Sequence, residues 1–341
     1  MTMIKRRFRG KALHTLTVAC MATLLYFMIG NGCTGIGHEA KEPPSYHLGI
    51  VQFSESPDFE QARQGLVEVI GRGPAEHQVK TNIEWASAGG ELLSIMSILQ
   101  DFKKKKPDVL VTLSNPCLEE ASQLIYQIPT VFGVCLNPKV IGFDESQQVY
   151  MRNYTGIYGE PPLQELVRII QLVKPGMKTV AVLWNPSEIN SRYEMGILRA
   201  VCRHHNITIV EQRLRRPDQI RLKAQALLEF DPDVFILFAD NTIREGFSSI
   251  SSLLAAQRVP VFTDMSDLAE KGALLELGFD YYSWGQATGE MVLEILGGKS
   301  PREVPVRKFE VLKLRVNLKK ASQLNLSIPQ EVLDQATQVI N

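Results

Sequence analysis

Cysteine and histidine are scarce in this 341-residue sequence, with five and six copies respectively. Beyond residues 1–33 only Cys117, Cys135 and Cys202 remain, without a C-x-x-C pair or histidines at zinc-ligand spacing. An odd number of cysteines without such spacings argues against a disulfide framework and against a zinc site. We expect buried thiols, and a disulfide between Cys117 and Cys135 stays open as an alternative in an oxidising compartment.

The sequence also lacks a glycine-rich phosphate-binding fingerprint and an excess of charge, since 37 basic residues balance 37 acidic ones. We therefore expect no cofactor, no metal and no nucleic-acid partner. The spacing of a catalytic triad is missing as well. His77, His204 and His205 lie away from the predicted strand ends, so no general base is placed for an enzyme.

The N-terminus carries the one long apolar run, from Leu13 to Ile29, preceded by basic residues from Lys5 to Lys11. This pattern is typical of a secretory signal, which we assign to residues 1–33. Gly32-Cys33 resembles a bacterial lipobox, so we expect lipidation at Cys33, with Cys20 as a weaker candidate. An uncleaved membrane anchor is the alternative. Residues 34–45 predict a tether, and without residues 1–32 the net charge becomes −5.

The stretch from His47 to Ile70 sets the pattern for the rest of the chain. A short apolar run ending at Phe53 meets the polar turn 54–57, and a helix with one apolar face follows. This is the opening strand–turn–helix unit of a parallel α/β sheet. Parallel sheets bind ligands at the carboxyl ends of their strands, so residues 53–56 should line the site.

The unit recurs along the chain, and the series restarts near residue 178. Further strands are predicted at residues 79–87, 108–113, 128–135, 178–185, 207–214, 233–239, 259–264 and 273–277. Helices are predicted between them, including 242–257 and 284–296, with an extended piece near 304–316 and a helix from residue 330. Two successive series predict two lobes with parallel sheets and a cleft between them.

The order of these pieces resembles one family closely. The resemblance lies in GIVQF (49–53), IPTVFGV with LNP (128–138), YTGI (154–157), VLWNPSEINS (182–191), ADNTI (239–243) and the long run 272–306. It is to the type I periplasmic binding proteins of ABC importers, in the branch of tryptophan/tyrosine-type substrate-binding lipoproteins. It covers residues 46 to about 332.

The resemblance implies two Rossmann-like lobes joined by a hinge of three crossings. Lobe 1 would comprise 46–155 plus 274–305 and lobe 2 would comprise 156–273, with a C-terminal segment, 306–341, crossing between the lobes. The protein would be an exported, lipid-anchored monomer. It would deliver a small amino-acid-like ligand, possibly aromatic, to an ABC permease and ATPase.

The resemblance also implies a set of ligand-binding positions. They are Ser54, Ser114, Asn115, Asn137, Asn185, Ser187, Asp240, Asn241 and Tyr281. Chemically, Ser114, Asn115 and the following helix would donate to a carboxylate, and Asp240 would pair with an ammonium, with Asp264 and Asp280 as alternatives. Phe53, Trp184 or Tyr281 would stack on an apolar side chain.

Several readings stay open at this point. Serine and asparagine at strand ends are often only helix caps, and Asp240 could be one too. Trp184 could pack in a core. Tyr281 and Tyr282, if extended, could not both face the cleft. The alternative function is a ligand-sensing module for a membrane receptor or kinase.

Overall fold

The computed structural model describes residues 45–77, 80–136, 138–144 and 151–341, with side chains omitted at residues 73–77 and 140. The predicted signal, Cys33, nearly all of the tether and Asn137 lie outside the described residues. Within those ranges, no helix combines the length and the apolar character needed to cross a membrane.

The described residues alternate strands and helices as expected. The strands are β1 (Ser45–Gln52), β2 (Lys80–Ser87), β3 (Val109–Leu113), β4 (Thr130–Cys135), β5 (Tyr154–Gly159), β6 (Thr179–Trp184), β7 (Thr208–Arg213), β8 (Val234–Leu237), β9 (Val261–Thr263), β10 (Leu275–Phe279), β11 (Arg307–Phe309), β12 (Leu312–Asn317) and β13 (Gln338–Ile340). The helices are α1 (Pro57–His77), α2 (Leu92–Lys105), α3 (Asn115–Leu124), α4 (Leu163–Val173), α5 (Ile189–His204), α6 (Ile220–Leu228), α7 (Asn241–Gly246), α8 (Ser248–Ala256), α9 (Tyr281–Leu296), α10 (Leu318–Gln323) and α11 (Gln330–Gln335).

The strands form two sheets, which confirms the two-lobe α/β fold. The sheet of lobe 1 has the order β2-β1-β3-β4-β5-β11, and all its pairings are parallel. The sheet of lobe 2 has the order β7-β6-β8-β9-β10-β12-β13, with β12 antiparallel to β10. Both follow the doubly wound order, in which the direction of winding reverses next to the first strand.

Successive side chains of a strand point to opposite faces of its sheet, and in both sheets each face is covered by an apolar cluster. In β1, Leu48 and Ile50 join one apolar cluster, whereas Val51 joins the cluster on the other face. In β6, Val182 and Leu183 divide in the same way. Strands that are buried on both faces have continuous apolar sequences, and such runs predicted these strands.

The strand pairings correct two of the lobe boundaries expected from the resemblance. β5 hydrogen-bonds to β4, so lobe 1 extends to Gly159 and not to residue 155. β10 pairs with β9 and β12, so the chain stays in lobe 2 until Phe279, beyond the expected boundary at 273. The C-terminal segment runs from lobe 1, through β11, to the edge of the second sheet.

Lobe 1 depends on an unusually close approach of α1 and α9. A methyl group at Gly65 would lie 2.1 Å from the carbonyl oxygen of Tyr282, and one at Gly285 would lie 1.8 Å from that of Ala62. Both distances are far below van der Waals contact, so only glycine lets the two backbones meet. Helix α9, which follows lobe 2 in sequence, thereby becomes part of lobe 1.

Candidate functional site

The candidate site lies where the two sheets reverse their winding. β1 and β3 are neighbours in lobe 1, and β6 and β8 are neighbours in lobe 2. The carboxyl ends of such neighbours diverge into opposite crossovers and leave a crevice between them. The turns that follow these four strands line a common pair of pockets between the lobes.

An inner pocket of about 60 Å³ opens towards an outer cleft of about 660 Å³. Residues of both lobes line the inner pocket: Phe53, Ser56, Asp58, Phe59, Ser114, Asn115, Pro116, Val134, Leu136 and Tyr281 from lobe 1, and Asn190, Ala239, Asp240, Asn241 and Arg244 from lobe 2. The outer cleft adds Ser54, the 89–92 turn, Glu119 and Glu120 from lobe 1, and residues such as Asn185, Ser187, Glu188, Arg192 and Thr242 from lobe 2.

Every predicted ligand position among the described residues lines one or both of these pockets. Phe53 and Asn241 line both, Ser54, Asn185 and Ser187 line the outer cleft, and Ser114, Asn115, Asp240 and Tyr281 line the inner pocket. Their contact with a ligand stays a prediction. Trp184 lines neither pocket and packs in the core of lobe 2, with the guanidinium groups of Arg199 and Arg213 over its ring.

The carboxylate of Asp240 is already well bonded within lobe 2. Its Oδ1 accepts from the backbone N–H of Ile243, and its Oδ2 accepts from the N–H of Asn185 and the hydroxyl of Ser191, both at 2.7 Å. Burial, followed by the nearby Glu188 carboxylate, raises the pKa of Asp240 to about 7. Asp240 therefore caps α7 and holds the turn after β6 through its bond to Asn185. Its Oδ1 has one donor and can accept a second hydrogen bond.

Glu188 closes the same helix end from a second side. Its carboxylate accepts from the backbone N–H groups of Asn241 and Thr242 and from the Thr242 hydroxyl, at 2.8–3.1 Å. Together with Asp240 it uses the first three N–H groups of α7. A ligand carboxylate therefore finds no open backbone N–H group in the first three residues of this helix.

The strand end of β3 is strained as well as capped. Ser114 has φ 139°, a region that residues other than glycine rarely adopt, and Val134 across the pocket has φ 51°. The Ser114 oxygen accepts from the N–H of Cys117, and the Asn115 side-chain oxygen accepts from the N–H of Leu136. Such strain clusters where a site holds groups in fixed positions.

Helix α1 presents its amino end to the inner pocket without a cap. Pro57 occupies its first position, and the backbone N–H groups of Asp58 and Phe59 donate to no other described residue. Both residues line the inner pocket. Uncapped N–H groups at a helix N-terminus attract carboxylates and phosphates in general, and these two N–H groups are still available at this pocket.

Arg244 supplies a buried cation beside these donors. Its guanidinium contacts the carboxylate of Asp58, donates to Asp267 Oδ1 at 2.8 Å and to the carbonyl oxygen of Ser266 at 2.9 Å, and is 13% exposed. Arg244 lines both pockets. One signal in the sequence could have located it, because Arg244 lies four positions after Asp240 and therefore on the same face of α7.

Part of the lining of the inner pocket is apolar and aromatic. It comprises Phe53, Phe59, Val134 and Leu136, together with Tyr281, which is stacked on Trp284 with ring planes 9° apart. Tyr281 and Tyr282 begin helix α9, so the expected extended backbone is wrong, although only Tyr281 faces the pocket. Tyr282 instead bonds Glu68 on α1.

Two carboxyl groups face each other beneath the pocket. Glu194 on α5 is fully buried and Asp264 after β9 is 5% exposed, and one oxygen of each has no hydrogen-bond donor among the described residues. Burial raises the pKa of Glu194 well above its usual value and that of Asp264 to about 6. Two such groups in contact hold one proton between them.

The raised pKa values of this pair predict a pH effect on stability. An unfolded aspartate has a pKa near 3.8, so the folded state binds the Asp264 proton more tightly. The stabilisation from that proton is complete below pH 3.8 and is lost as the pH rises through about 6, whereas the proton that Glu194 keeps and shares with Asp264 is lost only at a higher pH. In Glu194→Gln the new amide can donate to Asp264. The difference in free energy of unfolding, variant minus wild type, is therefore expected to be larger at pH 8 than at pH 5.

Urea denaturation at the two pH values measures this difference. Glu229→Gln, on the exposed surface of lobe 2, is the matched control and should show no such change. An equal pH response in the Glu194→Gln variant and the wild type would contradict the shared proton.

Comparisons with known proteins agree with this fold and cleft. A sequence model of the family described as ABC transporter substrate binding protein matches residues 47–340. The chain is 22% identical over 271 residues to a tyrosine-binding protein of Clostridioides difficile strain R20291, covering 80% of this chain and 78% of that protein.

Two solved structures are similar over most of the chain. A conserved domain protein from Vibrio cholerae has a TM-score of 0.78 at 28% identity, covering 86% of this chain and 99% of that one. An ABC domain from Streptococcus pneumoniae, solved in complex with L-Trp, has a TM-score of 0.78 at 24% identity, covering 87% and 100%. The chain described here belongs to the ABC transporter substrate-binding protein family and has the type I periplasmic binding protein fold.

Proposed function

We propose that this protein is the extracytoplasmic receptor of an ABC importer and binds a free α-amino acid with an apolar, preferably aromatic, side chain. One observation carries the proposal. Two kinds of surface line the inner pocket: the Arg244 guanidinium with the amino end of α1, and a set of aromatic and aliphatic side chains. A zwitterionic head and an apolar tail need these two surfaces.

The carboxylate of the ligand would lie at the polar side. The N–H groups of Asp58 and Phe59 and the Ser114 hydroxyl are donors there, and Arg244 contributes a positive charge. Hydrogen bonds from charged or aligned donors to a carboxylate are about twice as strong as neutral ones. This assignment adds α1 and Arg244 to the donors expected from the sequence, which were Ser114, Asn115 and helix α3.

The ammonium group would contact Asp240. The remaining acceptor capacity of its Oδ1 faces the inner pocket, which Asp240 lines. The two alternatives fit less well, because Asp280 caps α9 and pairs with Lys313, while Asp264 lies under the pocket and bonds Glu194. An ammonium would also favour the charged form of Asp240, whose pKa burial raises to about 7.

The side chain of the ligand would stack between Phe53, Phe59 and Tyr281. The similar proteins support an aromatic ligand, since one is a tyrosine-binding protein and another was solved with L-Trp. Aromatic stacking adds to the burial of apolar area. Ser54, Asn185, Ser187 and Asn241 would then close the outer cleft over the ligand.

The remaining parts of the proposal concern location and partners. The basic and apolar N-terminus supports export, and Gly32-Cys33 supports a lipid anchor on the membrane. A monomer held there would hand its ligand to a permease and ATPase, as its family membership suggests.

Isothermal calorimetry with matched analogues tests the ligand class. L-tyrosine, L-tryptophan, L-phenylalanine and L-leucine are expected to include a ligand of micromolar or tighter affinity. Tyramine lacks the carboxylate and 3-(4-hydroxyphenyl)propionate lacks the ammonium, so each should bind at least about 100-fold more weakly than L-tyrosine. The proposal fails if no amino acid binds, or if tyramine binds as well as L-tyrosine.

A further inference from the structure

Asp58 and Arg244 contact each other across the cleft. Asp58 lies in the first turn of α1 in lobe 1, while Arg244 lies on α7 in lobe 2. Both side chains are largely buried, at 10% and 13% exposure. The second oxygen of the Asp58 carboxylate accepts from the hydroxyl of Ser266, which also belongs to lobe 2.

Lobe 2 alone holds Arg244 only in part. Asp267 Oδ1 and the carbonyl oxygen of Ser266 bind one terminal nitrogen of the guanidinium, and the other terminal nitrogen contacts Asp58. When the lobes part, that second nitrogen loses its partner and Arg244 can turn towards water. Lobe 1 therefore supplies the last contact that fixes the orientation of the Arg244 side chain.

A buried ion pair adds little to stability in general, because desolvation offsets the attraction. Removing one of the two partners is costly, because the other charge is then buried without a partner. Within one lobe such a pair would only stabilise the fold. Between two lobes that move, the same pair forms in one arrangement and breaks in the other. Its free energy therefore acts on the equilibrium between the open and closed forms.

We propose that Asp58 is a positioning residue, which closes the lobes and fixes Arg244 at the wall of the inner pocket through the Asp58–Arg244–Ser266 contact. Its part in ligand affinity rests on the proposed function, whereas its part in closure does not. Asp58 acts through Arg244, so removing its charge lowers the closed fraction even without ligand. Affinity falls with it, because binding then has to drive the closure.

Distances between spin labels on the two lobes test this in the ligand-free protein. Lys103→Cys on α2 and Gln225→Cys on α6 are exposed labelling sites. Asp58→Asn, which keeps the size of the side chain, is expected to shift the distance distribution towards the open form. Asp58→Arg or Arg244→Asp alone should do the same, and the double charge exchange should restore the shorter distance when it is combined with Asp267→Asn, which removes the carboxylate beside position 244. Glu60→Gln is the matched control, because Glu60 pairs with Arg63 inside lobe 1.

L-tyrosine is the ligand probe in the same variants. Asp58→Asn is expected to weaken its binding about 10-fold, mainly through faster dissociation, with a melting temperature close to that of the wild type. Unchanged distances in Asp58→Asn, or no recovery in the double exchange, would overturn the proposal. Distances that respond as expected while no amino acid binds would uphold the closing contact and reject the proposed function.

Discussion

Replacing Arg244 with glutamine is expected to weaken amino-acid binding by about 100-fold, the scale found when one partner of a buried charge-assisted hydrogen bond is removed. The guanidinium is the buried cation that lines both pockets, beside the open N–H groups of α1. Glutamine keeps a donor but removes the charge that would neutralise the ligand carboxylate. It also leaves Asp58 and Asp267 without their cation, which costs stability.

Two further variants separate binding from folding. Arg244→Lys keeps the charge but loses the fork of donors, so it should bind more tightly than Arg244→Gln while staying below the wild type. Arg203→Gln, on the exposed last turn of α5, should bind like the wild type. Calorimetry with L-tyrosine, done at a temperature where urea curves show each variant folded, gives the answer. Wild-type affinity in folded Arg244→Gln would remove Arg244 from the site.

Replacing Gly285 with alanine is expected to destabilise the protein by about 3 kcal/mol or more, since overpacking against rigid backbone exceeds the usual cost of an added methyl group. The new methyl would lie 1.8 Å from the carbonyl oxygen of Ala62 and 2.6 Å from its carbon. These are backbone atoms, so no side chain can turn aside. Helices α1 and α9 would have to separate, and Tyr281 would move with α9.

Gly196→Ala is the matched control in another helix. Gly196 lies on the exposed side of α5, with no atom within 4 Å of an added methyl. Alanine is the better helix former, so this variant should gain about 0.5–1 kcal/mol. Urea denaturation of both variants measures the contrast. A Gly285→Ala variant as stable as the wild type would mean that the two helices do not pack this closely.

Much of the fold follows from the sequence because strands buried on both faces are continuous apolar runs. The turn after each run carries the polar residues, so the strand ends at Phe53, Ser114, Asn185 and Asp240 locate the cleft before any coordinates are known. Winding order then brings the four turns together. The lobe boundaries were less well placed, because hydrogen-bonding partners decide whether β10 ends one lobe or begins the other.

The chemistry of the site was harder to predict because it depends on which groups are already bonded. Asp240 looked like the obvious anion, yet three donors occupy most of its carboxylate. Asp58 and Arg244 lie 186 residues apart in sequence, and no local pattern joins them. A single sequence shows which side chains reach the cleft, but it does not show which of them keep free hydrogen-bonding capacity for a ligand.

The split arrangement of lobe 1 has a consequence for biosynthesis. The apolar stripe of α1, with Ala62 and Leu66, is covered by α9, and α9 leaves the ribosome only after all of lobe 2. Until then the strands made earlier cover this apolar surface only in part, and the side that packs on α9 stays exposed. A chaperone that binds the chain should therefore bind at α1. Chains truncated before residue 296 should remain bound to it and should not reach a native state.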